Sequence, residues 1–183
     1  MTNQCNISEK SVLITIDDGY QAVHRYMLPI LKRLHLNATS FVVTSRITEI
    51  AEPWSIDPRP LLGWDQIASV RKNYPHVEFH SHSHDQHRMV DGKPMPPLTE
   101  YADILTDVQM ASTLLGSDVY AYPFGRVTDT IVQVLQDAGY RMAFVVGEGI
   151  HAQPGMDLYR IPRYAIKSST TLHDFTQLLD DMN

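Results

Sequence analysis

The sequence predicts an α/β fold built on a parallel sheet or barrel, and two observations carry that expectation. Short β-rich apolar runs alternate with amphipathic helical stretches along the chain, and the unusual polar clusters fall just after those runs. The first run, residues 12–16, has the length and composition of a strand covered on both faces, and it stops at Asp17-Asp18-Gly19. Residues 22–36 read as a helix with Val23, Met27, Ile30, Leu31 and Leu34 on one face; Pro29 conflicts with that reading and predicts a kink. Residues 39–44 form the second expected strand.

Residues 46–63 carry three prolines and Trp54 and read as a long loop, of a length that is often functional in compact domains. A helix is expected over 64–73, a third strand over 77–81, and a Pro-rich loop over 88–98. Then follow a helix over 99–115, a strand over 118–122, a helix over 128–138, strands over 142–146 and 160–166, and a closing helix over 171–180. Asp17-Asp18-Gly19, the segment His82 to His87, and Tyr122-Pro123-Phe124-Gly125 each follow the carboxyl end of an expected strand, the face on which barrel enzymes assemble their sites.

At 183 residues the chain suits one domain, 1–183. Apolar residues at 43% and charged residues at 20% are a globular balance. A net charge of −6 offers no basic footprint, so no nucleic-acid partner is expected. The single cysteine, Cys5, excludes an intrachain disulfide and a Cys-based metal site. No run is long and apolar enough to predict a transmembrane segment. Residues 1–10 are polar and lack the apolar core of a secretion signal, so the chain as given reads as cytoplasmic.

Three clusters could carry chemistry, and each has a plainer reading. Acidic residues beside a glycine often make a turn and cap the next helix. Alternatively, consecutive carboxylates at a strand end point in different directions, so one can bind a metal while its neighbour acts as a base. Like charges so close raise one pKa unless a cation intervenes. His80, His82, His84 and His87 place four imidazoles within eight residues. Metal-sequestering tracts usually sit at termini, whereas this cluster follows a β-rich segment in mid-chain. Imidazole nitrogen and carboxylate oxygen are ligands that zinc and its first-row neighbours accept. Tyr122-Pro123-Phe124-Gly125 reads either as an ordinary strand-to-turn junction or as a rigid loop whose backbone N–H groups face a developing oxyanion.

Taken together, these clusters resemble the NodB-like polysaccharide deacetylases, the carbohydrate esterases of family four. Thr15-Ile16-Asp17-Asp18-Gly19 is similar to the family's first motif, Ser81-His82-Ser83 with His87 to its second, and Tyr122-Pro123-Phe124-Gly125 to its third, without the preceding arginine of many relatives. Asp157 to Arg163 and Asn37 to Val43 resemble further family segments. The five-residue step from His82 to His87 is that of the branch acting on poly-N-acetylglucosamine of biofilms; the four-residue step of other members would land on Gln86.

The resemblance implies a distorted, incomplete (β/α) barrel of the NodB-homology type, with six or seven strands and an open edge that would allow pairing into a dimer. It implies that Asp18, His82 and His87 bind one divalent metal, zinc by ligand type with cobalt or nickel as alternatives. Asp17 would be the general base, and Phe124 would offer its backbone N–H to the oxyanion. Arg163 would orient Asp17 or serve as an ordinary structural arginine. The family also uses a histidine as general acid, placed in the biofilm branch well before the Asp-Asp motif, where this chain has none. His173, within Leu172-His173-Asp174, superficially fits the wording of another branch but falls in the last expected helix.

The implied activity is metal-assisted removal of N-acetyl groups from an amino-sugar polymer or oligosaccharide, releasing acetate. Trp54 and Trp64 are candidates to stack on sugar rings, or simply core residues. Two rivals stay open: a sugar-binding module that keeps the metal site but lacks the acid, and an amidohydrolase acting on a small N-acyl substrate.

Overall fold

The computed structural model describes residues 11–95, 97–147 and 151–180. The N-terminal stretch read above as polar, with Cys5, lies outside the described residues. Along the chain come β1 (Ile14–Ile16), α1 (Leu28–Leu34), β2 (Ala38–Val42), α2 (Trp64–Asn73), β3 (Val77–Ser81), β4 (Met89–Val90), β5 (Lys93–Pro94), α3 (Tyr101–Leu115), β6 (Val119–Ala121), α4 (Asp129–Asp137), β7 (Met142–Val146), β8 (Ile161–Arg163) and α5 (Leu172–Asp180). Six strands form one sheet in the order β1-β2-β3-β6-β7-β8, parallel throughout. Spatial order follows chain order, so every carboxyl end lies on one rim. The sheet curls into a half-barrel, the incomplete (β/α) barrel expected from the sequence.

Register assigns the two faces. Phe41 pairs with His80, Ala121 with Phe144, and Phe144 with Ile161, so these side chains share the concave face. Phe41, Val119, Ala121 and Phe144 form a buried cluster there, with Met142 and Ile161 against it. On the convex face Val42, Val77 and Phe79 pack under Leu28 and Leu31 of α1 and Ile67 and Val70 of α2. Tyr120, Tyr122 and Ala143 pack under Ile104 and Val108 of α3 and Ile131, Val134 and Leu135 of α4. Continuous apolar strands are what a sheet covered on both faces requires.

The expected helix over 22–36 is divided. A wide π-type turn over Val23–Met27 leads into α1, where Pro29 lies in the first turn. Helical backbone nevertheless runs unbroken over residues 21–34, and Leu28 N–H reaches Val23 C=O five residues back, so the helix is widened just ahead of Pro29, a local disruption of the kind a proline inside a helix brings. The loop over 46–63 has no helix or strand of its own, but bridges from Tyr20 to Leu61 and from Thr48 to Gly63 tie it down. Trp64, the first residue of α2, is partly buried and packs against the convex-face core. Trp54 lies edge-on to Tyr26, with the Arg25 guanidinium over its ring.

The loop over 88–98 carries an unanticipated hairpin. β4 and β5 pair antiparallel across Asp91-Gly92, both at positive φ as a type I′ turn demands. No helix among the described residues is long and apolar enough to cross a membrane.

Candidate metal centre

The rim at the carboxyl ends of β1, β3, β6 and β8 gathers most of the residues singled out in the sequence. Asp17 and Asp18 follow β1, and the second of them is turned by a left-handed backbone, φ +73°. Gly19 continues the turn at φ +79°, where a Cβ would lie 2.8 Å from Val42 Cγ1, so only glycine lets β2 approach. His82 extends the β2–β3 ladder, its N–H bonded to Val42 C=O at 3.0 Å. Ser83 and Phe124 also have positive φ. Three non-glycine residues in this costly region within one rim mark a place where the fold holds backbone strain.

Ligand atoms of Asp18, His82 and His87 lie within 4.8 Å of one another. His87 Nε2 is 3.3 Å and His82 Nε2 is 3.7 Å from Asp18 Oδ1. The tautomer of His82 follows from its other nitrogen: Nδ1 is 2.8 Å from Ala121 C=O, which can only accept, so Nδ1 carries the proton and Nε2 presents a lone pair. Burial lowers the pKa of this imidazole, against the pull of the Asp17 carboxylate, and favours the neutral form. Asp18 Oδ1 is buried without a hydrogen-bond partner. Lone pairs of an anion and a neutral imidazole thus face each other, an arrangement that a cation would relieve. Tetrahedral ligands about 2.1 Å from zinc lie roughly 3.4 Å apart, close to the spacing here. The donor set therefore fits a divalent metal with one carboxylate, two imidazoles and room for further ligands.

Asp17 points the other way, to the concave side. Arg163 at the end of β8 reaches across the open mouth of the half-barrel and holds it with two hydrogen bonds, Nη1 to Oδ1 at 2.7 Å and Nη2 to Oδ2 at 2.8 Å. A third bond runs from Arg163 Nη1 to Thr15 Oγ1 at 3.1 Å. Burial pushes the Asp17 pKa up, but the Arg163 hydrogen bonds, with the charges of His82, Arg163 and His87, outweigh it and leave it below the ordinary carboxylate value. The His82 part vanishes when that ring is neutral; the guanidinium is the lasting cause.

Phe124 stacks on His87, with ring centroids 4.2 Å apart and planes 19° apart. Its turn is closed by Gly125 N–H to Tyr122 C=O at 3.0 Å and Arg126 N–H to Pro123 C=O at 3.1 Å, neither of which uses the Phe124 N–H. His84 turns away from the cluster toward Thr44 Oγ1, at 2.9 Å. His173 is exposed near the start of α5. Among the described residues, no hydrogen bond, ion pair or ring contact joins it, or any histidine besides His82 and His87, to the cluster.

Sequence reasoning passed over Asp107, whose carboxylate accepts hydrogen bonds from the backbone between His82 and His87. A signal was present. Ile104, Val108, Ala111 and Leu115 mark the apolar face of α3, and Asp107 falls on it.

Fold and site define a parallel half-barrel with a carboxylate–imidazole centre at its rim. Residues 5–143 match the family model for polysaccharide deacetylase, and the chain belongs to that family. A poly-beta-1,6-N-acetyl-D-glucosamine N-deacetylase of Staphylococcus epidermidis is 26% identical over 167 residues, covering 87% of this chain and 56% of the relative. One of the same name from Staphylococcus aureus strain MRSA252 is 25% identical over 172 residues, covering 90% and 57%. The chain thus spans little more than half the length of the curated relatives it matches. Among solved structures, a de-N-acetylase from Aggregatibacter actinomycetemcomitans aligns with a TM-score of 0.76 at 20% identity, covering 95% of this chain and 77% of that one. IcaB from Ammonifex degensii aligns at 0.73 and 22% identity, covering 93% and 72%. At these identities the likeness shows the fold.

Proposed function

We propose that this chain is a metal-dependent polysaccharide N-deacetylase that hydrolyses N-acetyl groups of an amino-sugar polymer, with β-1,6-linked poly-N-acetylglucosamine as the leading substrate. The convergence of a buried, unpartnered Asp18 Oδ1 with two imidazole nitrogens carries this reading. The substrate class rests on the names of the relatives and on the five-residue step from His82 to His87.

Asp18, His82 and His87 would hold the ion, with zinc the first choice by ligand type. Bound there, a divalent cation supplies Lewis acidity, polarising the acetyl carbonyl and lowering the pKa of water from 15.7 toward ~7. Asp17 takes the proton of the attacking water on its carboxylate. Arg163 fixes that carboxylate through both oxygens and keeps it ionised. The Phe124 N–H, on a strand-tip turn, stabilises charge that develops on the acetyl oxygen, a contribution of about 10²–10³ in rate for a typical donor of this kind. As the C–N bond breaks, Asp17 returns its proton to the departing amine. Its lowered pKa makes the protonated carboxyl a ready donor.

The exposure of His173, with no contact joining it to the cluster, favours one second reading: a sugar-binding module that holds a metal but lacks a dedicated acid for the amine. Incubation of zinc-loaded protein with acetylated β-1,6-linked glucosamine oligomers separates the two. Acetate appearing with free amine, one for one, is expected; zinc binding without acetate would leave the binding module.

A further inference from the structure

We infer that Asp107 is a positioning residue for the metal centre: its carboxylate fixes the turn between His82 and His87 and so makes His87, rather than Gln86, the second imidazole-side position. The inference rests on the proposed reading of Asp18, His82 and His87 as ligands.

A carboxylate on the packed face of a helix is costly unless donors compensate it. Asp107 is only 7% exposed, and burial raises its pKa against the hydrogen bonds it accepts. All three of its donors come from one three-residue segment. Oδ1 accepts from His84 N–H at 2.9 Å and from Gln86 Nε2 at 3.1 Å, and Oδ2 accepts from Asp85 N–H at 2.7 Å. That segment is the whole interior of the ligand-to-ligand step except Ser83. The opposite side of the turn is held by the residues after β2, with Thr44 N–H to Ser83 C=O at 3.3 Å and Ser45 N–H to His84 C=O at 2.9 Å. Within the turn, Ser83 at φ +76° accepts Gln86 N–H on its Oγ at 3.1 Å.

The consequence concerns which side chain faces the rim. Gln86 is buried and drawn toward α3 by Asp107, so the next residue, His87, falls on the opposite side, 3.3 Å from Asp18. Without Asp107, two backbone N–H groups and the Gln86 amide lose their acceptor, and the turn is held only from its other side, by Thr44 and Ser45, and by the bond from Gln86 N–H to Ser83 Oγ. Both imidazoles then have to be ordered at the moment the ion binds.

The test uses Asp107→Asn, which keeps size and places an NH2 group where an acceptor is needed. Zinc affinity is measured by competition with a chromophoric chelator, below the melting transitions of both proteins. Amide exchange is followed at His84 and Asp85. Expected are an affinity lower by about tenfold, the scale typical of groups that orient metal ligands, and faster exchange at those two amides. Gln86→Ala leaves both backbone bonds in place and should lose affinity severalfold, less than Asp107→Asn. A variant that only melts earlier without metal, while binding zinc as tightly as wild type, would overturn the inference and make Asp107 a simple structural prop. If Asp107→Asn does not fold, Gln86→Ala decides alone: a severalfold loss supports the inference and wild-type affinity overturns it. Wild-type protein that binds no zinc would instead defeat the reading of the site, and this inference with it.

Discussion

The convex face of the sheet and its carboxyl rim obey opposite rules. On the convex face, strands offer apolar side chains to helices that return apolar side chains, and Leu135 and Val108 are fully buried. On the rim, Asp18, Ser83 and Phe124 take positive φ, Asp18 Oδ1 lacks a partner, and two carboxylates sit on adjacent residues. The first region lowers free energy by packing. The second gives some of it up, and the residues that do so are those brought together around the proposed ion. His35 and Asp91 also take positive φ, but one ends a helix and the other turns a hairpin, where such backbone is ordinary; three such residues gathered at one rim point to function there.

Three substitutions can break or sharpen that contrast. Asp17→Asn should reduce deacetylation by about 10²–10⁴, the usual range for a general base, while zinc content and melting temperature stay near wild type. Loss of zinc in this variant would mean that the two aspartates have been assigned the wrong way round. Leu135→Ala should do the reverse: a loss of about 2–5 kcal/mol in stability by chemical denaturation, with zinc affinity of the folded protein unchanged. A change in affinity would show that face and rim are not separable.

Arg163→Gln is the mildest and the most informative about pH. Asp17 acts as a base in its charged form, and Arg163 lowers its pKa. Removing the guanidinium raises that pKa, so the acid limb of kcat/KM should move to higher pH, with roughly a tenfold loss of rate near neutrality. The same sign applies to stability. A depressed carboxylate pKa contributes stability above the unfolded value, and this is lost as pH falls through the folded one. An unshifted acid limb in the variant would leave Arg163 a structural role only.

The sequence told much of this, unevenly. The strand tips were legible because apolar β-rich runs end abruptly at Asp17 and His82, and alternation of strand and helix leaves few ways to arrange them. Pro29 marked a local irregularity, and the helix widens over Val23–Met27 just before it, but the form of that irregularity depends on which carbonyls the preceding N–H groups reach, which residue names do not give. The hairpin at Asp91-Gly92 had a local signal that was hidden among prolines. Asp107 was legible as a violation of the apolar face of α3, but its partners lie more than twenty residues away in the chain and no spacing rule reaches that far. Arg163 is the extreme case: its contact with Asp17 joins opposite edges of the sheet and exists only because the sheet curls. His173 matched a short pattern of residue names; it is exposed near the start of α5.

A cation shared by Asp18, His82 and His87 underlies every role proposed for the rim, and calorimetric titration of metal-free protein with zinc tests it most directly. One ion per chain should bind to wild type, and Asp18→Asn, whose fold is checked by circular dichroism, should bind it at least about tenfold more weakly. Identical isotherms for the two proteins would contradict it.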